Sequence, residues 1–143
     1  MVKYLRKAVS VCIQLLFPLR CPVCDDIVTP FGEKICLDCM KKLKVISPPG
    51  CLKCGKKLEA EEQEYCHDCS VRKHVFIRGR ALYEYGSIAP AIYRFKYGNT
   101  REYADFFGEE IAGYLGDEIQ RMQPDALIPI PLHPARKRKR GYN

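Results

Sequence analysis

Eight cysteines stand in four Cys-x-x-Cys pairs, Cys21/Cys24, Cys36/Cys39, Cys51/Cys54 and Cys66/Cys69, each starting 15 residues after the last. A Cys-x-x-Cys turn presents two thiolates from one backbone knuckle, and two knuckles complete a tetrahedral soft-metal site. The spacing therefore predicts two closed, four-cysteine zinc sites. Four thiolates also suit iron, as a rubredoxin-type centre or an iron–sulfur cluster. A disulfide framework is the third alternative, but it belongs to secreted chains, and nothing in the sequence reads as a secretion signal. Closed sites keep no open coordination position, so the metal is expected to be structural and not catalytic.

Which knuckles share a metal is not set by spacing, because all three gaps between them are eleven residues. Likeness between knuckles favours a 30-residue repeat. Cys36-Leu-Asp-Cys39 resembles Cys66-His-Asp-Cys69, Cys21-Pro-Val-Cys24 resembles Cys51-Leu-Lys-Cys54, and Pro48-Pro49-Gly50 separates the copies. This pairs Cys21, Cys24, Cys36 and Cys39 on one metal and Cys51, Cys54, Cys66 and Cys69 on a second; an interleaved arrangement satisfies the same ligand chemistry. His67 and His74 read as bystanders, since four cysteines already fill the second site. Residues 20–72 carry few large apolar side chains, so this segment is expected to depend on its two zinc ions for its fold.

The elements around the ribbons divide the chain in three. Residues 1–19 read as a short amphipathic helix ending before Pro18; its apolar stretch is too short to span a bilayer, so no stable membrane insertion is expected. Cys12, the odd cysteine, packs as a small hydrophobe. Residues 20–72 hold the double ribbon. From residue 78 the pattern changes: a β-rich run over 80–85, a helix over 88–97, a stop at Gly98-Asn99-Thr100, and a helix over 101–122 with Ala104, Phe107, Ile111 and Leu115 on one face. A short apolar strand follows over 125–131, at a sheet edge because its prolines donate no ladder bonds. This order suggests the opening of an α/β domain with a poorly covered face.

The net charge is +7, and five cations fall in one run, Arg136-Lys137-Arg138-Lys139-Arg140. Such a run is either a solvated loop or a contact for phosphate or nucleic acid. Lys41, Lys42, Lys44, Lys53, Lys56 and Lys57 add positive charge beside the knuckles. Tyr83, Tyr85, Tyr93 and Tyr97 are expected to be half-buried core positions more than base-stacking platforms.

Leu-Leu-Phe-Pro at 15–18 leading into Cys21-Pro-Val-Cys24, the double ribbon, Arg94-Phe-Lys-Tyr-Gly98, and Ile128-Pro-Ile-Pro-Leu-His-Pro134 running into Arg140-Gly-Tyr-Asn143 together resemble the ComF family of competence proteins. The resemblance implies a zinc ribbon followed, over residues 78–143, by the N-terminal portion of a type I phosphoribosyltransferase-like α/β domain, truncated here. It implies a cytoplasmic role in natural transformation, handling incoming single-stranded DNA beside a helicase-like partner. It implies further that His133, Arg136, Arg138 and Arg140 contact phosphate, with the basic stretch as a mobile loop. No Asp-Asp-x-x-Thr-Thr-Gly segment, which binds the ribose phosphate in that fold, is present in these 143 residues, so this chain alone is expected to be inactive as a transferase. The alternative function is a stand-alone zinc-ribbon module that binds nucleic acid or protein.

Overall fold

The computed structural model describes Ile13 and residues 16–143. The helix expected over residues 1–19, with Cys12, falls mostly outside them.

Two copies of one small unit open the described chain. In the first, Cys21 N–H donates to Asp26 O at 2.8 Å, Asp25 N–H donates to Cys21 O at 2.9 Å, and an Arg20–Ile27 bridge closes the loop. In the second, Cys51 N–H donates to Lys56 O and Gly55 N–H to Cys51 O, both at 2.8 Å, under a Gly50–Lys57 bridge. The residue after each opening knuckle is left-handed, Asp25 at φ 68° and Gly55 at φ 74°. A short polar side chain tolerates that conformation at 25. At 55 glycine is required, because a Cβ would stand 2.8 Å from both Arg80 Cα and Ala81 N. Each closing knuckle starts a short helix, α1 (Leu37–Lys42) and α2 (His67–Val71), with Cys36 and Cys66 extended at the N-cap. Neither cap side chain bonds its helix; the sulfurs join the thiol clusters instead.

The chain then returns alongside the segment that links the two ribbons. Ile46 N–H donates to Leu82 O at 2.9 Å, Glu84 N–H donates to Lys44 O at 2.8 Å, and Val45 bridges Tyr83. The strand expected over 80–85 is thus a single bridge, and its last residue already opens α3 (Tyr85–Tyr97). Pro90 lies inside α3 and not at its entry, which leaves one ladder bond unmade. Gly98, Asn99 and Thr100 stop the helix as read from the sequence: Gly98 N–H at 2.6 Å and Thr100 Oγ1 at 3.1 Å both donate to Arg94 O. The next helix, α4, runs Tyr103–Met122.

The core lies between the first ribbon and the α3–α4 pair. Cys21, Val28, Ile35, Cys36, Cys39 and Leu43 pack with Ile88, Ala91 and Phe106 in one buried cluster. The second ribbon has its own small cluster, Cys51, Leu58 and Cys66. The buried residues of α4 are Tyr103 and Phe106, so its inner face is one position off the expected 104/107/111/115 row. Phe107 and Ile111 instead wall an open apolar groove of about 440 Å³ with Ile88, Ile92 and Phe95.

Residues 125–131 form no strand and pair with none among the described residues, and Leu127, Ile128 and Ile130 are exposed. The sheet expected over 78–143 is therefore absent among the described residues, where β structure is limited to isolated bridges. The basic run, expected as a loop, forms a helix, α5 (Pro134–Arg140). No described helix is long and apolar enough to cross a membrane.

Candidate metal centres and basic cleft

Folding brings the cysteines together in sequential pairs of knuckles. The sulfurs of Cys21, Cys24, Cys36 and Cys39 lie within 4.8 Å of one another, as do those of Cys51, Cys54, Cys66 and Cys69. All eight are free thiols. A zinc–sulfur distance of about 2.3 Å implies a sulfur–sulfur edge of roughly 3.8 Å in a tetrahedron. Cys24 to Cys36 is 4.0 Å and Cys54 to Cys66 is 3.7 Å, so these two edges stand near the spacing of a loaded site.

The electrostatics of the clusters call for a cation. Burial alone raises the Cys21 thiol, but the backbone amides of Cys24, Cys36 and Val23 outweigh it and bring it down to about 7. Cys51 is brought down to about 6 in the same way, burial being overcome by the amides of Cys66, Cys54 and Lys53. Cys24, Cys39, Cys54 and Cys69 are shifted the other way. Burial, with the neighbouring sulfurs adding to it, pushes Cys24 and Cys69 up to about 12. Each opening knuckle thus favours one thiolate, and a metal's charge is needed to hold four.

The first site is tied to the helices. Arg94 of α3 donates to the knuckle carbonyls of Pro22 at 3.1 Å and Val23 at 2.7 Å. Tyr103 of α4, 1% exposed, donates to Asp25 Oδ1 at 3.1 Å and Cys21 O at 3.4 Å. Burial, then the Asp25 carboxylate, raises the Tyr103 phenol well above its usual range, so it stays a donor. The second site has simpler neighbours: Gly79 N–H donates to Lys53 O at 2.7 Å, and Lys57 pairs with Glu84 at 2.7 Å.

The four residues expected to contact phosphate do not converge. Arg136 and Arg140, four apart on α5, share the face turned to α3. With Lys139, Tyr93, Lys96, Tyr97 and Asn99 they line a cleft of about 580 Å³. Arg138 lies apart from that cleft, beside Lys137 and Pro134. His133 is the N-cap of α5, its Nδ1 accepting from Ala135 N–H at 3.3 Å, which leaves Nε2 as its only free ring nitrogen.

The Arg-Gly-Tyr-Asn terminus of the motif is pinned. Arg140 Nε donates to Lys96 O at 2.9 Å, Tyr142 OH donates to Phe95 O, and Arg101 donates to Gly141 O at 3.1 Å. Asn143 holds the 130–132 segment, accepting from Leu132 N–H at 2.9 Å and donating to Ile130 O at 3.3 Å. The tyrosines correct the core expectation: Tyr83 is half-buried and bonded to Glu110, whereas Tyr85, Tyr93 and Tyr97 are exposed. The signal for the cleft was the Tyr93/Tyr97 spacing of four around Lys96.

Residues 12–70 match the double zinc ribbon domain family. The chain is 30% identical over 121 residues to the competence protein ComFC of Bacillus subtilis (strain 168), covering 78% of this chain and 48% of that protein. It is 26% identical over 127 residues to the competence protein ComFC of Streptococcus pneumoniae (strain ATCC BAA-255 / R6), covering 86% and 47%. The chain spans about half the length of these curated relatives. No solved structure matches it. The ribbon match and the two donor sets together fit two bound zinc ions, four cysteines to each.

Proposed function

We propose that this ComF-family chain acts in natural competence, handling single-stranded DNA in the cytoplasm beside a helicase-like partner, with its two zinc ions as structural staples. The observation that carries this reading is the extent of the similarity. Identity to two competence proteins runs over 121 and 127 residues, well beyond the ribbon match at 12–70. Eight thiolates in two closed sets support a scaffolding role for the metal, since no coordination position is left for substrate.

The domain reading proposed with it is residues 20–72 as the double ribbon and 78–143 as the N-terminal portion of a phosphoribosyltransferase-like α/β domain. The open groove walled by Ile92, Phe95 and Phe107, and the exposed apolar run Leu127, Ile128 and Ile130, support it: both are surfaces that a sheet and its covering helices would bury. Phosphate contact by Arg136 belongs to the same proposal, Arg140 on the same face being bonded to Lys96 O. The ribbon-only alternative has less support, because residues 20–72 carry nine acidic side chains against nine cations and so have no excess of positive charge, although Lys42, Lys44 and Lys53 stand unpaired there among the described residues.

The competence role is tested in Bacillus subtilis lacking its ComFC. A chimera carries this chain in place of the matching segment of that protein, and transformation frequency is measured. Recovery of transformation above the deletion strain is expected. A chimera that accumulates with two zinc ions bound, yet transforms no better than the deletion strain, refutes the reading.

A further inference from the structure

We propose that the cleft between α3 and α5 is a binding site for single-stranded nucleic acid, with Tyr93 and Tyr97 as the base-stacking platform and Arg136 and Lys139 as the phosphate contacts. The inference rests on the reading above for the class of ligand, and it assigns the place and the mode of binding.

Three observations carry it. The first is where unpaired positive charge lies. Among the described residues, Lys34, Lys41, Lys56, Lys57, Arg78, Arg80 and Arg94 each have a carboxylate within 4.0 Å. Lys96, Arg136 and Lys139 have none among the described residues, and α5 contains no acidic residue in its seven. Lys42, Lys44 and Lys53 beside the knuckles are likewise unpaired among the described residues, but residues 20–72 balance nine cations with nine acidic side chains, whereas α5 carries five cations and no acid; the excess of positive charge therefore lies at this cleft.

The second is the aromatic pair. Tyr93 and Tyr97 are 66% and 63% exposed, with ring centroids 4.9 Å apart. Two large rings held side by side in water bury little of their surface, so folding alone does not explain their placement. Unstacked bases offer π-faces to such rings, and bases locked in a duplex do not.

The third is rigidity. Arg140 bonds Lys96 O at 2.9 Å and lies over the Tyr97 and Tyr142 rings at 5.9 Å each. It fixes α5 against α3, so that the free cations Arg136 and Lys139 stand beside the rings without being consumed in holding the helix.

The test is fluorescence anisotropy with a labelled oligo-dT of about 20 nucleotides, longer than a common site of about 4–16, at several salt concentrations. The 143-residue chain is loaded with zinc, and each variant is checked for two zinc ions per chain. Wild type should bind with a salt-dependent affinity and prefer the single strand to a mixed-sequence duplex. Tyr93→Ala and Tyr97→Ala should each weaken binding roughly tenfold while leaving the salt slope unchanged. Arg136→Gln and Lys139→Gln should each lower the slope by roughly 0.7. Lys137→Gln and Arg138→Gln, with side chains on the other side of α5, are the controls and should do less.

Binding that ignores the two tyrosines, or that the duplex shares equally, overturns the stacking site. Binding that instead falls with Lys42→Gln and Lys44→Gln places the ligand on the ribbon and leaves the proposed function standing. No binding to oligo-dT at low salt removes both.

Discussion

Removing one metal at a time separates the two zinc sites, because only the first is built into the main core. The perturbations are Cys39→Ala and Cys69→Ala, each deleting one of four ligands. Structural zinc contributes about 10–16 kcal/mol of apparent binding free energy at neutral pH, as much as the whole stability of about 5–15 kcal/mol of an ordinary domain. Whatever depends on a given zinc for its packing therefore unfolds with it. Ile88, Ala91 and Phe106, buried residues of α3 and α4, pack in one cluster with Cys21, Cys36 and Cys39. Next to that cluster, the apolar face of the pair opens into the groove. Without the first ribbon these helices keep contacts with each other, such as Phe95 against Phe107, and surface contacts such as Tyr142 to Phe95 O, Tyr83 to Glu110 and Arg80 to Glu118, but no buried core. Losing the second zinc releases a cluster of three buried residues, Cys51, Leu58 and Cys66. The assay is far-UV circular dichroism alongside zinc content. Both variants should hold one zinc. Cys39→Ala should lose most of the helical signal, which α3 (13 residues) and α4 (20 residues) dominate, whereas Cys69→Ala should keep most of it. Equal losses in the two variants, or the larger loss in Cys69→Ala, would refute the reasoning.

Three further substitutions probe the joints. Arg94→Ala strips the side-chain donor from the Pro22 and Val23 carbonyls, the only one among the described residues; two charge-assisted bonds at a partly exposed site are worth about 2–3 kcal/mol, and hydrogen exchange should speed up through α3 while α2 is unchanged. Tyr103→Phe should cost about 1 kcal/mol, an ordinary hydrogen bond and less than one to a fully buried charge because Asp25 is half-exposed, read as a lower urea midpoint at unchanged slope. Gly55→Ala places a side chain at φ 74° and 2.8 Å from backbone atoms, so it should cost more than the roughly 1–2 kcal/mol of left-handed strain and hasten loss of the second zinc to a chelator. Gly32→Ala, at φ 97° with open space around it, should show the strain alone.

The metal sites were legible in the sequence because ligand chemistry dictates residue type and spacing together; thiolate geometry leaves few ways to place eight cysteines. The stop at Gly98-Asn99-Thr100 and the length of α4 were legible for a similar reason, since helix termination is local chemistry. The face of α4 was not. Tyr103 is an amphipathic residue, and only the position of Asp25 and the Cys21 carbonyl makes it the most buried residue of the helix. Strands were the least legible, because a run rich in β-formers becomes a strand only where another edge meets it. Residues 80–85 found the inter-ribbon segment, and 125–131 found no ladder partner among the described residues. The exposed tyrosines were misread for the same reason: whether residues 93 and 97 are inside depends on what covers that side of α3.

Helix α3 turns opposite faces to its neighbours, and that arrangement links the metal to the cleft. Successive residues are turned by roughly 100°. Ile88, Ala91, Ile92 and Phe95 share one apolar face that meets the core and borders the groove, and Tyr93 and Tyr97, on the opposite side, face the basic cleft. Arg94, next to Tyr93, is held by the first knuckle. Its carbonyl accepts from Gly98 N–H and Thr100 Oγ1, which fixes the end of the helix just beyond Tyr97. One residue thus carries the position of the zinc knuckle into the register of the stacking pair. An exposed aromatic platform gains affinity from being rigid before the ligand arrives, because ordering the rings on binding costs free energy. Four thiolates around a metal supply that rigidity from a region too poor in apolar side chains to supply it by packing. A structural metal with no open coordination position can therefore matter to binding without touching the ligand.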